Sequence, residues 1–191
     1  MIYIVRHGQT DWNTEGKYQG QTDIELNLEG VIQAEILRKE LKDIDFDIVF
    51  SSPLKRAYKT AQIIYQGNII TDNRLMERFN GDLEGKYKKH HIVDFNDPNE
   101  TRFNIEPITA FRKRIVDFWD YVIKNHSIKN VLIVTHGGVG IYSQCYFKGE
   151  PQNNDYNQYM MKNCDIIQIE TTTNGSYCKN RRLSRNRYKK I

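Results

Sequence analysis

The 191-residue sequence has little cysteine, little proline and no long apolar run. Its three cysteines, Cys145, Cys164 and Cys178, are odd in number and form no CxxC spacing. That excludes a disulfide framework and a zinc knuckle, and leaves reduced thiols, two of them expected to be buried. No apolar stretch approaches the roughly 18 residues that cross a bilayer, so no membrane partner is expected. The chain opens directly on a strand, which leaves no room for a signal peptide and makes a cytoplasmic location the expectation. Equally absent are a GxxxxGKS/T phosphate loop, an HExxH metal motif and a GxSxG nucleophile elbow, and Gly137-Gly138-Val139-Gly140 lacks the dinucleotide spacing. No metal and no cofactor is called for.

Acids are also missing beyond Tyr177, where Lys179, Arg181, Arg182, Arg185, Arg187, Lys189 and Lys190 carry +7. Against a formal net charge of +4 this leaves −3 for the rest, so a positive pocket in the body must come from local placement. A basic tail could hold nucleic acid in a salt-sensitive way. Tyr188 is its single interleaved aromatic, which argues for a solvated terminus and against that partner.

What is present begins at Ile2-Tyr3-Ile4-Val5, an unbroken β-branched and aromatic run that suits a strand buried on both faces of a parallel sheet. It stops at Arg6-His7-Gly8, at the strand end where open α/β sheets place ligands. Arg6 can fork onto phosphate oxygens, Gly8 can let backbone N–H groups approach, and His7 can attack phosphorus through a ring nitrogen. The apolar run Val131-Leu132-Ile133-Val134 likewise ends in Thr135-His136-Gly137-Gly138.

Between them, Asn13 leads into a polar loop over 14–25, and Asn27 caps a helix with an apolar stripe from Leu28 to Leu41. The strand Ile48-Val49-Phe50 precedes Ser51-Ser52-Pro53, where Ser52 as N-cap and Pro53 as first residue start another helix. Arg56 in its first turns faces an unfavourable dipole, which an anion in front would explain. A third strand is expected over 68–71, surface helix and loop over 86–102, a helix from Pro107 to His126, another over 139–147, and strands at 166–170 and near Tyr177. Strands alternating with helices predict βαβ units. His126, at a helix carboxyl end, is expected to favour the dipole as a cation.

These pieces make a metal-free phosphoryl-transfer site. His7 is the candidate nucleophile, and Arg6, Arg56 and a protonated His136 form the clamp on the transferring group. The leaving alcohol needs a proton. Glu77, in a turn beside Gly81, is the choice, with Asp82 and Glu84 as rivals that spacing alone leaves open.

Arg6-His7-Gly8-Gln9-Thr10-Asp11-Trp12-Asn13 resembles the signature of the histidine phosphatase superfamily, phosphoglycerate mutase-like branch. Ser51-Ser52-Pro53-Leu54-Lys55-Arg56-Ala57, Glu77 with Gly81 and Glu84-Gly85, and Thr135-His136-Gly137-Gly138 match its other blocks in order. The resemblance implies a three-layer α/β/α sandwich with a mostly parallel sheet. Chain length predicts a single domain, taken over 1–178, and charge a basic tail over 179–191. The resemblance also implies a transient phosphohistidine at His7, phosphate ligands at Arg6, Arg56, His136 and neighbouring Gly137, and Glu77 as proton donor. It matches Asn13, Gln19 and Gly20 to substrate or phosphate contacts, and assigns no role to Asn104-Ile105-Glu106-Pro107. The activity implied is that of a histidine acid phosphatase-type phosphomonoesterase acting on a small phosphorylated metabolite. The alternatives are a cofactor-dependent phosphoglycerate mutase, kept open by Lys88, and a non-catalytic phosphate-binding module. A homodimer is the one protein partnership the reading allows for.

Overall fold

A computed structural model describes residues 1–91, 93–98, 100, 102–127, 129–171 and, as backbone alone, 177–183. Six strands form one sheet: β1 (Ile2–Arg6), β2 (Ile48–Ser51), β3 (Ile70–Thr71), β4 (Val131–Thr135), β5 (Ile166–Thr171) and β6 (Tyr177–Leu183). Their order across the sheet is β3-β2-β4-β1-β5-β6. The pairs β2–β3, β2–β4 and β1–β4 are parallel, whereas β5 runs antiparallel to both β1 and β6.

The apolar runs are continuous because both sheet faces are covered. Ile2, Ile4, Phe50, Val131, Ile133 and Ile167 point to one side, against Phe111, Ile115, Phe118 and Trp119 of α4 (Ile108–His126) and Val139 of α5 (Gly137–Lys148). Tyr3, Val5, Val49, Leu132, Val134 and Ile166 point to the other, against Ala34, Leu37 and Leu41 of α2 (Leu28–Leu41) and Ala57 and Ala61 of α3 (Lys55–Ile64). The result is the expected α/β/α sandwich. Each large aliphatic or aromatic side chain buried in these layers contributes roughly 1.5–3 kcal/mol, so the two layers together hold the strand ends that carry the site.

Asn27 caps α2 as expected, its side chain accepting from Gly30 N at 2.9 Å. Helix α3 departs from expectation. It starts at Lys55, with Leu54 at the N-cap and no side-chain cap bond, because leucine has no side-chain acceptor; Ser52 Oγ instead accepts from Leu54 N at 3.3 Å, just before the helix. Helix α1 (Asp11–Glu15) replaces the start of the polar loop, held by reciprocal bonds between Thr10 and Asn13. The segment 86–102 forms no α-helix among its described residues, only a 3₁₀ turn at Lys88–His90 before a second at Arg102–Asn104. Asn180 to Leu183, assigned to a tail on charge alone, instead pair with β5, with Lys179 at a register shift, because an edge strand tolerates cations. The remaining tail, including Arg185, Arg187, Lys189 and Lys190, lies outside the described residues.

Candidate active site

The β1–β4 register pairs Arg6 with Thr135, so the residues that follow, His7 and His136, emerge side by side. Their ring centroids are 5.2 Å apart and both side chains are buried. His7 Nδ1 lies 2.7 Å from Gly8 O. A carbonyl only accepts, so Nδ1 carries the hydrogen and Nε2 keeps its lone pair free in the neutral ring. Burial, then the Arg56 and Arg6 guanidinium groups, hold His7 well below the ordinary imidazole range, which keeps that lone pair available.

His136 is held well below that range too, first by burial and then by Arg56, His7, Arg6 and Arg114. Without an anion beside it the ring therefore favours the neutral form. Its Nε2 is 2.8 Å from Ser52 Oγ, and its Nδ1 is buried without a partner.

Arg56 is 1% exposed and donates to Gly20 O at 2.7 Å and Thr22 O at 2.9 Å. Two carbonyls thus satisfy part of a cation that its helix end disfavours. Burial lowers its guanidinium to about 10, still charged at neutral pH. Arg6 donates to Met161 O at 2.5 Å. Both arginines leave Nε buried and unpaired. Together with His136 Nδ1, three buried nitrogens at one site have no partner in the protein, the pattern an anion-binding seat leaves.

A cavity of about 520 Å³ opens here, lined among others by Arg6, His7, Asn13, Gln19, Gly20, Arg56, Glu77 and Gly137. His136 stands behind this lining. Glu77 Oε2 accepts from Gly138 N at 3.0 Å, at the amino end of α5, and Oε1 from Arg78 N at 2.9 Å. Its two rivals sit elsewhere. Asp82 is exposed and bonded to Asn104, while Glu84 accepts from the backbone of Gln21, Thr22 and Asn80 and from the Thr22 hydroxyl. Asn13 Oδ1 takes hydrogens from Thr10 N and Asn163 Nδ2, so its own Nδ2 is what it can offer the cavity. Gln19 is buried with Oε1 unpaired, and the Gly20 carbonyl is spent on Arg56.

Gly8 serves packing rather than phosphate approach. Its N–H donates to Thr60 Oγ1 at 3.0 Å, and a Cβ there would lie 2.5 Å from Gly30 O on α2.

Four residues escaped the sequence reading. Ser52 looked like a helix cap. Asn163 donates to His7 O, Gly8 O and Asn13 Oδ1 from just before β5, a distance in sequence that no pattern reveals. Arg114 on α4 pairs with Glu106 and donates to the carbonyls of Arg74, Met76 and Glu77, fixing the segment that carries Glu77. Arg78, buried, holds the cavity wall through Phe95 O and Glu106 O. Among the described residues no group of three or more His, Cys, Asp or Glu side chains is placed to hold a metal ion. No helix among them is long and apolar enough to cross a membrane.

The class these features define is an α/β sandwich with a histidine-centred, anion-accepting cavity at the carboxyl edge of its parallel strands. More narrowly, the chain belongs to the histidine phosphatase superfamily (branch 1), whose family model matches residues 2–183. It is 31% identical over 147 residues to phosphoserine phosphatase 1 of Hydrogenobacter thermophilus, covering 71% of this chain and 70% of the relative. Among solved structures it resembles the alpha-ribazole phosphatase of Shigella flexneri, with a TM-score of 0.80, 25% identity and 92% of each chain covered. It also resembles a histidine-to-alanine mutant of the phosphoserine phosphatase of Entamoeba histolytica in complex with phosphoserine, with a TM-score of 0.79 and 26% identity. That match covers 96% of this chain and 94% of the other.

Proposed function

We propose that the protein hydrolyses a small phosphomonoester through a phosphohistidine on His7. One observation carries the reading: a neutral histidine with a free Nε2 stands beside three buried, unpaired nitrogens of Arg6, Arg56 and His136. In the first step the Nε2 lone pair forms a bond to phosphorus while the bond to the ester oxygen breaks. Glu77, in its acid form, gives its proton to the departing alkoxide. In the second step water attacks phosphorus and the P–N bond breaks. The Glu77 carboxylate takes the water's proton, and orthophosphate leaves. Arg6 and Arg56 stabilise the charge on the equatorial oxygens throughout. The cavity exceeds what a phosphoryl group needs, and Tyr142, Tyr156 and Asn157 at its wall are placed to meet the alcohol part.

His7→Ala tests this directly. The variant is expected to keep its circular dichroism spectrum, to lose hydrolysis of an aryl phosphate, and to give no acid-labile phosphoprotein on rapid quench. Near wild-type turnover in that variant would reject the nucleophile. Chelators are expected to leave the wild-type rate unchanged, because no step uses a metal. Assaying a panel of phosphomonoesters with and without bisphosphoglycerate separates hydrolysis from return of the phosphoryl group to an acceptor.

A further inference from the structure

The strand register that brings the two histidines together also delivers a third side chain. Ser51 pairs with Val134 across β2–β4, and Ser52 N donates to Val134 O at 3.0 Å, so Ser52 emerges beside Thr135, one residue before His136. Neither side chain has any exposed surface, and Ser52 Oγ lies 2.8 Å from His136 Nε2. A serine hydroxyl has one hydrogen and two lone pairs. Leu54 N donates into that oxygen at 3.3 Å, which occupies one lone pair and leaves the hydrogen and the second lone pair to face Nε2.

The other ring nitrogen decides what the arrangement is for. A phosphoryl oxygen only accepts hydrogen bonds, so a neutral His136 helps an anion only where it carries its single hydrogen. Ser52 occupies Nε2, and Nδ1 is the nitrogen without a protein partner. A carbonyl or carboxylate at the Ser52 position would force the hydrogen onto Nε2 and turn a lone pair toward the anion.

We propose that Ser52 is a positioning residue, whose hydroxyl donates to His136 Nε2 and holds the neutral ring in the Nδ1–H form that can donate to a phosphoryl oxygen. The proposal rests on the reading of this cavity as a phosphate-ester site. When the ring takes up a proton, the same hydroxyl turns and accepts, so Ser52 serves both charge states.

The test is a long-range 1H–15N correlation spectrum of the 15N-labelled chain, with the His136 signals assigned by their loss in His136→Gln. The wild type is expected to show a protonated Nδ1 and a bare Nε2, without and with orthophosphate. Ser52→Ala is expected to move the hydrogen toward Nε2, weaken orthophosphate binding and lower kcat/KM for an aryl phosphate about 10-fold to 100-fold. Ser52→Thr, which keeps the hydroxyl, restores most of the loss. A wild-type ring protonated on Nε2 overturns the proposal without any variant having to fold. So does a folded Ser52→Ala with unchanged tautomer and phosphate affinity. Failure to turn over any phosphomonoester would instead strike the phosphatase reading, since tautomer and phosphate affinity are measured without turnover.

Discussion

A methyl group at Gly138 would stand 2.4 Å from Glu77 Oε1 and 3.2 Å from the Phe111 ring. The carboxyl group is the movable partner, so Gly138→Ala is expected to displace it while the fold persists. The signature is a larger loss on alkyl phosphates, which need a proton on the leaving oxygen, than on aryl phosphates, which do not. Glu77→Gln is expected to show the same asymmetry. Equal losses on both substrate types in Glu77→Gln would take the proton-donor role away from Glu77. At this scale the reactive groups were legible, because Arg6, His7 and His136 stand where an apolar run ends abruptly and Arg56 is a cation in the first turn of a helix. Their tautomers were not. The Gly8 carbonyl that fixes His7 and the Ser52 hydroxyl beside His136 become visible only when strands are in register.

Among elements, the loop before α2 depends on one carboxylate. Glu84 gathers the backbone N–H groups of Gln21, Thr22 and Asn80 with the Thr22 hydroxyl, and the same loop turns the Gly20 and Thr22 carbonyls onto Arg56. Glu84→Ala leaves these donors unmet, at a cost of about 1–3 kcal/mol. It is expected to lower the melting temperature and to raise KM more than it lowers kcat, since Arg56 loses its guide but not its charge. Steady-state kinetics beside a thermal melt checks both. Helices with apolar stripes, such as α2 and α4, were readable because tertiary packing and local pattern agree. Helix α1 was missed because its five residues bury no apolar stripe and are held by a Thr10–Asn13 exchange with no hydrophobic period to announce it. The start of α3 was misplaced for the opposite reason: Ser52 and Pro53 make a good local cap, yet Leu54 stays extended and the helix begins only at Lys55.

Across the whole molecule, three histidines favour the neutral state. His7 and His136 do so strongly, and His126 does so through burial and then Lys129, its ring set 5.8 Å from Phe50 and 5.5 Å from Tyr121. Burial and the Lys129 charge overrule the helix-end effect expected at His126, whose ring nitrogens have no hydrogen-bond partner. A folded-state pKa below the unfolded one means that the unfolded chain binds more protons as pH falls through about 6.5. Stability is therefore full above that value and is lost progressively below it. Urea midpoints between pH 7.5 and 5 are expected to show this, and His126→Phe to flatten part of the slope without altering kcat; an unchanged slope would remove His126 from the account. The sandwich and its parallel core could be read from alternating apolar runs and stripes. The place of β5 could not, because nothing local says that a strand will run against its neighbours.

That reversal has a temporal consequence. Because β5 runs against β1, the residues just before it lie under the tip of the first strand. There Met161 O meets Arg6, Asn163 grips the His7 carbonyl, and Cys164 N donates to Arg6 O. A ribosome that has reached Gly149 has already made every reactive group, yet not the clasp that seats them. The segment that seats the site is therefore made after Arg6, His7, Arg56, Glu77 and His136, the groups it seats.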